Sequence, residues 1–133
     1  MRARQAQRPT LGDRANLLPA HVEERLRLLA ALPAGWDGNG ALPVSREAEK
    51  KLRKTLNQAY SRAPGLVPEP FIAPDPEGGL GLEWEFANGN ELLLSVSPSG
   101  EVTYLLAMPS RTEQHGSIRS AADLQNLIRQ ALA

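Results

Sequence analysis

The sequence predicts an α+β fold: two N-terminal helices, an antiparallel meander of three to four strands, and a C-terminal helix. Three observations carry this prediction. Apolar residues recur at three- and four-residue spacing near both ends of the chain, they alternate with other residues between positions 80 and 106, and turn-forming residues separate these segments. The 133 residues, 41% of them hydrophobic, are enough to build one core. We therefore expect a flexible basic arm over residues 1–15 and one domain over residues 16–133.

The composition excludes several classes of protein. The chain contains no cysteine, so disulfide frameworks, thiolate metal sites and cysteine nucleophiles are ruled out. No apolar run reaches the roughly 18 residues that a membrane helix needs, and no hydrophobic signal core follows the first arginines. We expect a cytoplasmic protein without a membrane partner and without a cofactor.

The net charge of zero hides a strong segregation of charge along the chain. Residues 1–14 carry four basic side chains against one acidic one, and residues 46–62 carry six against two. Residues 75–101 carry six acidic side chains and no lysine or arginine. This polarity favours a charged partner, or self-association in which the basic part of one copy meets the acidic part of another.

Two amphipathic helices are predicted in the first half of the chain. The first covers residues 19–32, with Pro19 at its start and Pro33 after its end. The second begins after Ser45, a good N-cap, and reaches about Ser61. Its predicted buried face carries Ala48, Leu52, Thr55, Leu56 and Ala59.

The opposite face of the second helix is a basic stripe. Its candidate nucleic-acid contacts are Arg46, Lys50, Arg53 and Lys54. Lysine and arginine on one helix face can neutralise phosphates, which supports a nucleic-acid-binding accessory protein as the alternative function. The isoelectric point of about 6.7 and the lack of aromatic residues beside the stripe argue against it.

Three strands follow a proline-rich segment that allows at most a short edge strand around Phe71 and Ile72. The strands begin at Leu80, Leu92 and Val102, and their buried residues share one face only if each connecting loop has an odd number of residues. We predict three-residue loops, such as 88–90, and 98–100. Residues 108–117 are predicted as a polar connector, and Ser120 with Asp123 as the capping box of the last helix.

The outer face of the predicted sheet is the main candidate contact surface. It carries Glu83, Glu85, Leu93, Thr103 and Leu105. A face that mixes leucine with glutamate and threonine is less polar than a purely solvated one. Glu83 and Glu85 resemble carboxylates that hold divalent metal ions, but no basic side chain lies nearby in sequence, and no residue is assigned as a metal ligand.

The segment 35–41, Gly-Trp-Asp-Gly-Asn-Gly-Ala, is the most distinctive stretch. We predict that Trp36 fills the gap between the two helices and the sheet, that Asp37 closes an Asx turn, and that the glycines adopt left-handed backbone conformations. The alternative interpretation is that Trp36 and Asp37 form a hot spot for a partner.

These motifs resemble those of small uncharacterised bacterial proteins with a GWDGxGA loop, a helix and a DGGLxLEW-type antiparallel meander. The matching pieces are Leu26–Leu32, Gly35–Ala41 with Pro43, Pro76–Trp84 and Ser99–Val102. The resemblance covers roughly residues 20–107 and departs where Pro-Glu-Gly-Gly stands in place of Asp-Gly-Gly. It implies a bacterial origin, the same fold, and an accessory product of a mobile or defence-type gene pair, and it brings no activity with it.

The favoured hypothesis is therefore a noncatalytic protein-interaction module, the small accessory or antitoxin-like partner in a bacterial two-protein system. Nucleic-acid binding is the alternative, and a metal-dependent enzyme is third. No catalytic residue is predicted, because the chain has only two histidines, His21 and His115, and neither has metal-ligand spacing with a second histidine.

Overall fold

The computed structural model describes residues 18–62, 65 and 67–133. The predicted basic arm over residues 1–15 lies outside them. The α+β class is confirmed. The elements in chain order are α1 (Ala20–Ala30), α2 (Arg46–Arg62), β1 (Phe71–Pro74), β2 (Leu80–Glu85), β3 (Glu91–Val96), β4 (Val102–Ala107), β5 (Gln114–Ile118) and α3 (Ala121–Leu132).

The strands form an antiparallel meander in the order β1-β2-β3-β4-β5. The prediction of three to four strands was wrong by one, because part of the expected polar connector is the edge strand β5. This strand pairs with β4 from Leu106 opposite Gln114 to Val102 opposite Ile118. A polar strand forms here because β4 would otherwise expose a row of unpaired backbone groups, and β5 satisfies them.

The two hairpin loops have the predicted odd length. The Phe86 N–H donates to the Asn90 carbonyl at 2.9 Å, so the first loop is residues 87–89, one residue earlier than the example 88–90. The Ser97 N–H donates to the Glu101 carbonyl at 2.8 Å, and Gly100 has φ +90°, which confirms the loop 98–100. Both hairpins therefore place the even-numbered strand residues on one face, as parity requires.

All three helices pack against that face of the sheet. Helix α1 contacts β1 and α2, α2 contacts β2 and β3, and α3 contacts β3, β5 and α2. The whole predicted buried face of α2 is buried, as are the strand residues Trp84, Leu92 and Leu106. The core thus lies between one helical layer and one sheet, the arrangement that an α+β chain with a single amphipathic sheet adopts.

The predicted helix caps are present. The Ser45 hydroxyl accepts from the Ala48 N–H at 3.0 Å, and the Ser120 hydroxyl accepts from the Asp123 N–H at 3.2 Å. Helix α1 is shorter than predicted and ends at Ala30. Within the described part of the chain, no helix has the length and apolar character needed to cross a membrane.

Candidate functional site

One row of side chains crosses the outer face of the sheet through all five strands. The strand register places its members opposite one another in the order Phe71, Glu83, Leu93, Leu105 and His115. Phe71 is 63% exposed, and Leu93 and Leu105 are half-buried. Because the helices cover the other face, this row points away from the core. We call it the outer row.

Acidic residues gather beside the outer row. Glu85 lies directly opposite Glu91 on the neighbouring strand, and oxygens of Glu83, Glu85 and Glu91 lie within 4.8 Å of one another. We call these three residues the carboxylate cluster. In the part of the chain that the structure describes, none of the three forms a salt bridge or a side-chain hydrogen bond. Like charges opposite each other destabilise a sheet, and a metal ion or a basic side chain beside Glu85 and Glu91 would offset their repulsion.

Glu91 is the member of the cluster that the sequence interpretation missed. The example loop of residues 88–90 would have shifted the pairing by one position on each strand and moved Glu91 away from Glu85. With the loop at residues 87–89, the same parity argument pairs the two glutamates. The correct loop position would therefore have been enough to identify Glu91 as a member of the cluster.

A shallow depression of about 430 Å³ lies at the β1 end of the outer row and is lined by Glu69, Phe71, Glu83 and Glu85. It combines an exposed aromatic ring with three carboxylates. The Glu69 carboxylate contacts the His21 imidazole at the start of α1. Burial, together with the charge of Glu69, raises the pKa of Tyr60, so this phenol stays neutral at pH values where an exposed tyrosine ionises.

The five predicted contact residues of the sheet lie on its outer face, but they do not form one cluster. Glu83, Leu93 and Leu105 belong to the outer row, and Glu85 belongs to the carboxylate cluster. Thr103 lies in the adjacent row, opposite Ser95 on one side and Ser117 on the other. The apolar and acidic candidates thus adjoin each other, while Thr103 belongs to a more polar part of the face.

The loop around Trp36 is organised by its own hydrogen bonds. Asp37 accepts at Oδ1 from the Asn39 N–H at 2.8 Å and from the Ala41 N–H at 3.0 Å, which confirms the Asx turn. Gly35, Gly38 and Gly40 all have positive φ, also as predicted. The prediction that Trp36 plugs the core was wrong. Trp36 is half-buried outside the core cluster, and its indole N–H donates to the Leu42 carbonyl at 3.0 Å.

The loop around Trp36 joins two other loops at one end of the sheet. The Leu42 N–H donates to the Pro76 carbonyl at 2.8 Å, and the Ser45 N–H donates to the Gly78 carbonyl at 2.9 Å. The Ser45 hydroxyl also donates to the Pro98 carbonyl at 2.6 Å. These bonds tie three loops together. Trp36 and Asp37 are therefore attached to an end of the sheet, away from Leu93 and Leu105 in mid-strand.

The predicted basic stripe of α2 is divided in the structure. Arg46, Lys50 and Lys54 are exposed. Arg53 is half-buried and forms ion pairs with Glu23 of α1 and with Glu49, the latter at 3.1 Å. A helical wheel cannot indicate this, because it does not show which side of α2 the neighbouring helix α1 covers.

Neither histidine belongs to a nucleophile–base pair among the described residues. A nucleophilic site needs a base within hydrogen-bonding reach of a hydroxyl or thiol group. Among the described residues, neither histidine is hydrogen-bonded to a hydroxyl, since His21 pairs with Glu69 and His115 ends the outer row.

Comparisons of the chain with protein-family models, curated proteins and solved structures found no match.

Proposed function

We propose that the protein is a noncatalytic interaction module that binds a cationic segment of another protein on its outer sheet face. It would act as the small accessory or antitoxin-like member of a bacterial two-protein system. The observation that carries this proposal is the outer row, where the exposed Phe71 and the half-buried Leu93 and Leu105 lie on the face opposite the three described helices. Apolar residues that no helix covers gain free energy when a partner removes them from water.

The charge of the face specifies the partner. The carboxylate cluster has no cation of its own within the described residues, and its members repel one another. A basic partner would remove this repulsion and gain charge-assisted hydrogen bonds at the same time. The occupant with the best complementarity is therefore a segment that alternates basic and apolar side chains, because it can contact the leucines and the glutamates together.

The depression beside Phe71 suits an arginine of that segment. An arginine can lay its aliphatic stem and guanidinium plane against the aromatic ring and direct its N–H groups to carboxylates on the rim. Glu69, Glu83 and Glu85 supply such carboxylates around Phe71. A lysine would fill the same space with a single point charge and fewer hydrogen bonds, so we expect arginine to bind more tightly.

Site-specific photo-crosslinking in the native host tests this proposal. A photoreactive amino acid at Leu93 or Leu105 should capture one protein, whereas the same group at Leu28 or Leu42 should not. Leu28 and Leu42 are suitable controls because they are leucines more exposed than the two half-buried leucines of the row, at 53% and 55%, and lie outside the sheet. The double variant Glu83→Lys and Glu85→Lys should abolish the capture at Leu93, since it reverses the charge beside the row.

Three results would contradict the proposal. Capture could be equal at the control positions, it could persist after the charge reversal, or it could fail at all positions of the outer row. A crosslinked product that contains only two copies of this chain would show that the face mediates self-association rather than binding of another protein. In the purified complex, arginine-to-alanine changes in the captured partner should weaken binding to the wild type but not to the charge-reversed variant.

A further inference from the structure

A second charged surface lies at the other edge of the sheet, where α2 approaches β5 and the start of α3. Two adjoining cavities there share Lys51, Ile118 and Arg119 as lining residues. The larger, of about 470 Å³, extends over residues 100–103 at the start of β4. The smaller, of about 140 Å³, extends to Lys54 and to the residues that open α3. Together they form an open groove, which we call the basic groove.

The three cations of the basic groove are not neutralised by the fold. In the described ranges, the side chains of Lys51, Lys54 and Arg119 form neither salt bridges nor hydrogen bonds. The smaller cavity has no carboxylate in its lining, and the larger has only Glu101. Arg53 differs from its neighbours on α2, because Glu23 and Glu49 already hold its guanidinium. Of the basic residues of α2, Lys51 and Lys54 line the groove, whereas the exposed Arg46 and Lys50 lie outside its lining.

The fold brings Arg119 beside Lys51 and Lys54, although Arg119 is distant from them in sequence. Lys51 and Lys54 are three residues apart on one helix and so project from adjacent positions of the same face. Arg119 comes from the connection between β5 and α3, and the strand that positions it was not predicted from the sequence. Placing like charges around one groove costs free energy that an anionic ligand returns.

The shape and lining of the groove favour a linear ligand with repeated charge. The groove is open along its length, and its lining is mostly polar and lacks aromatic side chains. Base stacking is therefore unavailable, whereas contacts to phosphate oxygens need only cations and hydrogen-bond donors. An acidic protein segment would also need an apolar contact area, and the lining offers little beyond Val102 and Ile118.

We propose that the basic groove binds the phosphodiester backbone of nucleic acid, through Lys51, Lys54 and Arg119 and without regard to base sequence. This proposal is independent of the partner proposed for the outer row, because it uses different residues at a different edge of the sheet. It also changes the residue set expected from sequence. Of the residues expected from sequence, only Lys54 lines the groove, and Lys51 and Arg119 are added to it. Arg53 is excluded because its guanidinium forms ion pairs with Glu23 and Glu49.

Fluorescence anisotropy with labelled oligonucleotides tests the proposal on the full chain. A single strand of about 16 nucleotides should bind, and base composition should change the affinity little. If three phosphates are neutralised, raising the salt concentration from about 50 mM to about 200 mM should weaken binding to the single strand about 20-fold. The triple variant Lys51→Gln, Lys54→Gln and Arg119→Gln should lose about tenfold or more in affinity and most of the salt dependence.

The control variant removes the same net charge elsewhere. Arg27, Arg111 and Arg129 are exposed and lie outside the groove lining, so their joint replacement by glutamine should leave most of the affinity. Thermal melts of both triple variants should match the wild type, because all the changes but Lys51→Gln are at exposed positions and Lys51 has no described partner. Equal losses in the two variants, or no binding by the wild type at low salt, would overturn the proposal. Binding of polyglutamate as tightly as the oligonucleotide would replace nucleic acid by an acidic protein and overturn it too.

Discussion

The two faces of the sheet are built from the same strands and differ in what covers them. On the inner face, Trp84, Leu92 and Leu106 lie side by side under the helices and are fully buried. On the outer face, Leu93 and Leu105 are paired in the same way, but no helix of the described residues packs over them and they are only half-buried. Large side chains on the inner face therefore stabilise the fold, while those on the outer face are available for contact with a partner.

The largest expected contrast is between Trp84 and Leu93. Trp84→Ala removes the largest fully buried side chain and should lower the free energy of unfolding by about 3 to 5 kcal/mol. Leu93→Ala should cost less than about 1 kcal/mol, because the leucine is half-buried and leaves no closed cavity. Urea unfolding followed by circular dichroism measures both changes. Comparable losses of unfolding free energy in the two variants would mean that Leu93 stabilises the fold as much as a core residue does. Its apolar surface would then not be available to a partner.

A glycine pair gives a second contrast at a smaller scale. A Cβ atom on Gly79 would lie 2.3 Å from the Val96 carbonyl oxygen, so Gly79→Ala must displace backbone and should cost about 1 to 3 kcal/mol. Gly81 lies on the outer face, where the nearest atom to an added Cβ is 3.9 Å away. Gly81→Ala should be neutral or slightly stabilising. Thermal melts of the two variants check this, and a loss at Gly81 equal to that at Gly79 would contradict it.

The inner face could be predicted from sequence because burial imposes a period. The alternation from Leu80 to Phe86 and the helical spacing from Ala48 to Ala59 both identified residues that are buried. Parity required an odd number of residues in both hairpin loops, and the turn-forming residues favoured three. The strand β5 could not be found in this way, because Gln114 to Ile118 pairs through its backbone and shows no apolar alternation.

The outer face was identified only in part, for a related reason. Its residues followed from the strand period, but the juxtaposition of Glu85 with Glu91 depends on register to within one residue. Trp36 and Trp84 illustrate a different problem. Trp84 lies between Glu83 and Glu85 in an alternating strand, so its burial follows from the strand period, whereas Trp36 follows a glycine in a loop that has no such period. Loop motifs identify tight turns, whereas burial depends on the packing of distant elements.

Two asparagines of the first hairpin bond the same carbonyl of α3 but differ in burial, which allows a third comparison. The buried Asn90 and the exposed Asn88 both donate side-chain hydrogen bonds to the Ala131 carbonyl at the end of α3, at 2.9 and 2.8 Å. Asn90→Ala should cost about 1 to 2 kcal/mol, because its bond is shielded from water. Asn88→Ala should cost less, since water can replace its amide. Hydrogen exchange at the end of α3 should rise in the first variant, and equal exchange in both would show that burial does not matter there.

The smallest expected change has the opposite sign. Glu91→Gln removes the like-charge pair with Glu85 and should stabilise the free protein by about 0.2 to 1 kcal/mol, the scale of a cross-strand pair. Glu113→Gln, an exposed change outside the carboxylate cluster, is the control and should leave stability unchanged. Differential scanning calorimetry at low salt measures the difference.

The Glu91→Gln variant should also bind the cationic partner more weakly, because one of its attracting charges is lost. A gain in stability joined to a loss of binding would mean that the repulsion is retained for function. If Glu91→Gln changes neither quantity, the outer face is an ordinary solvated surface and the distinction between the two faces has no functional content.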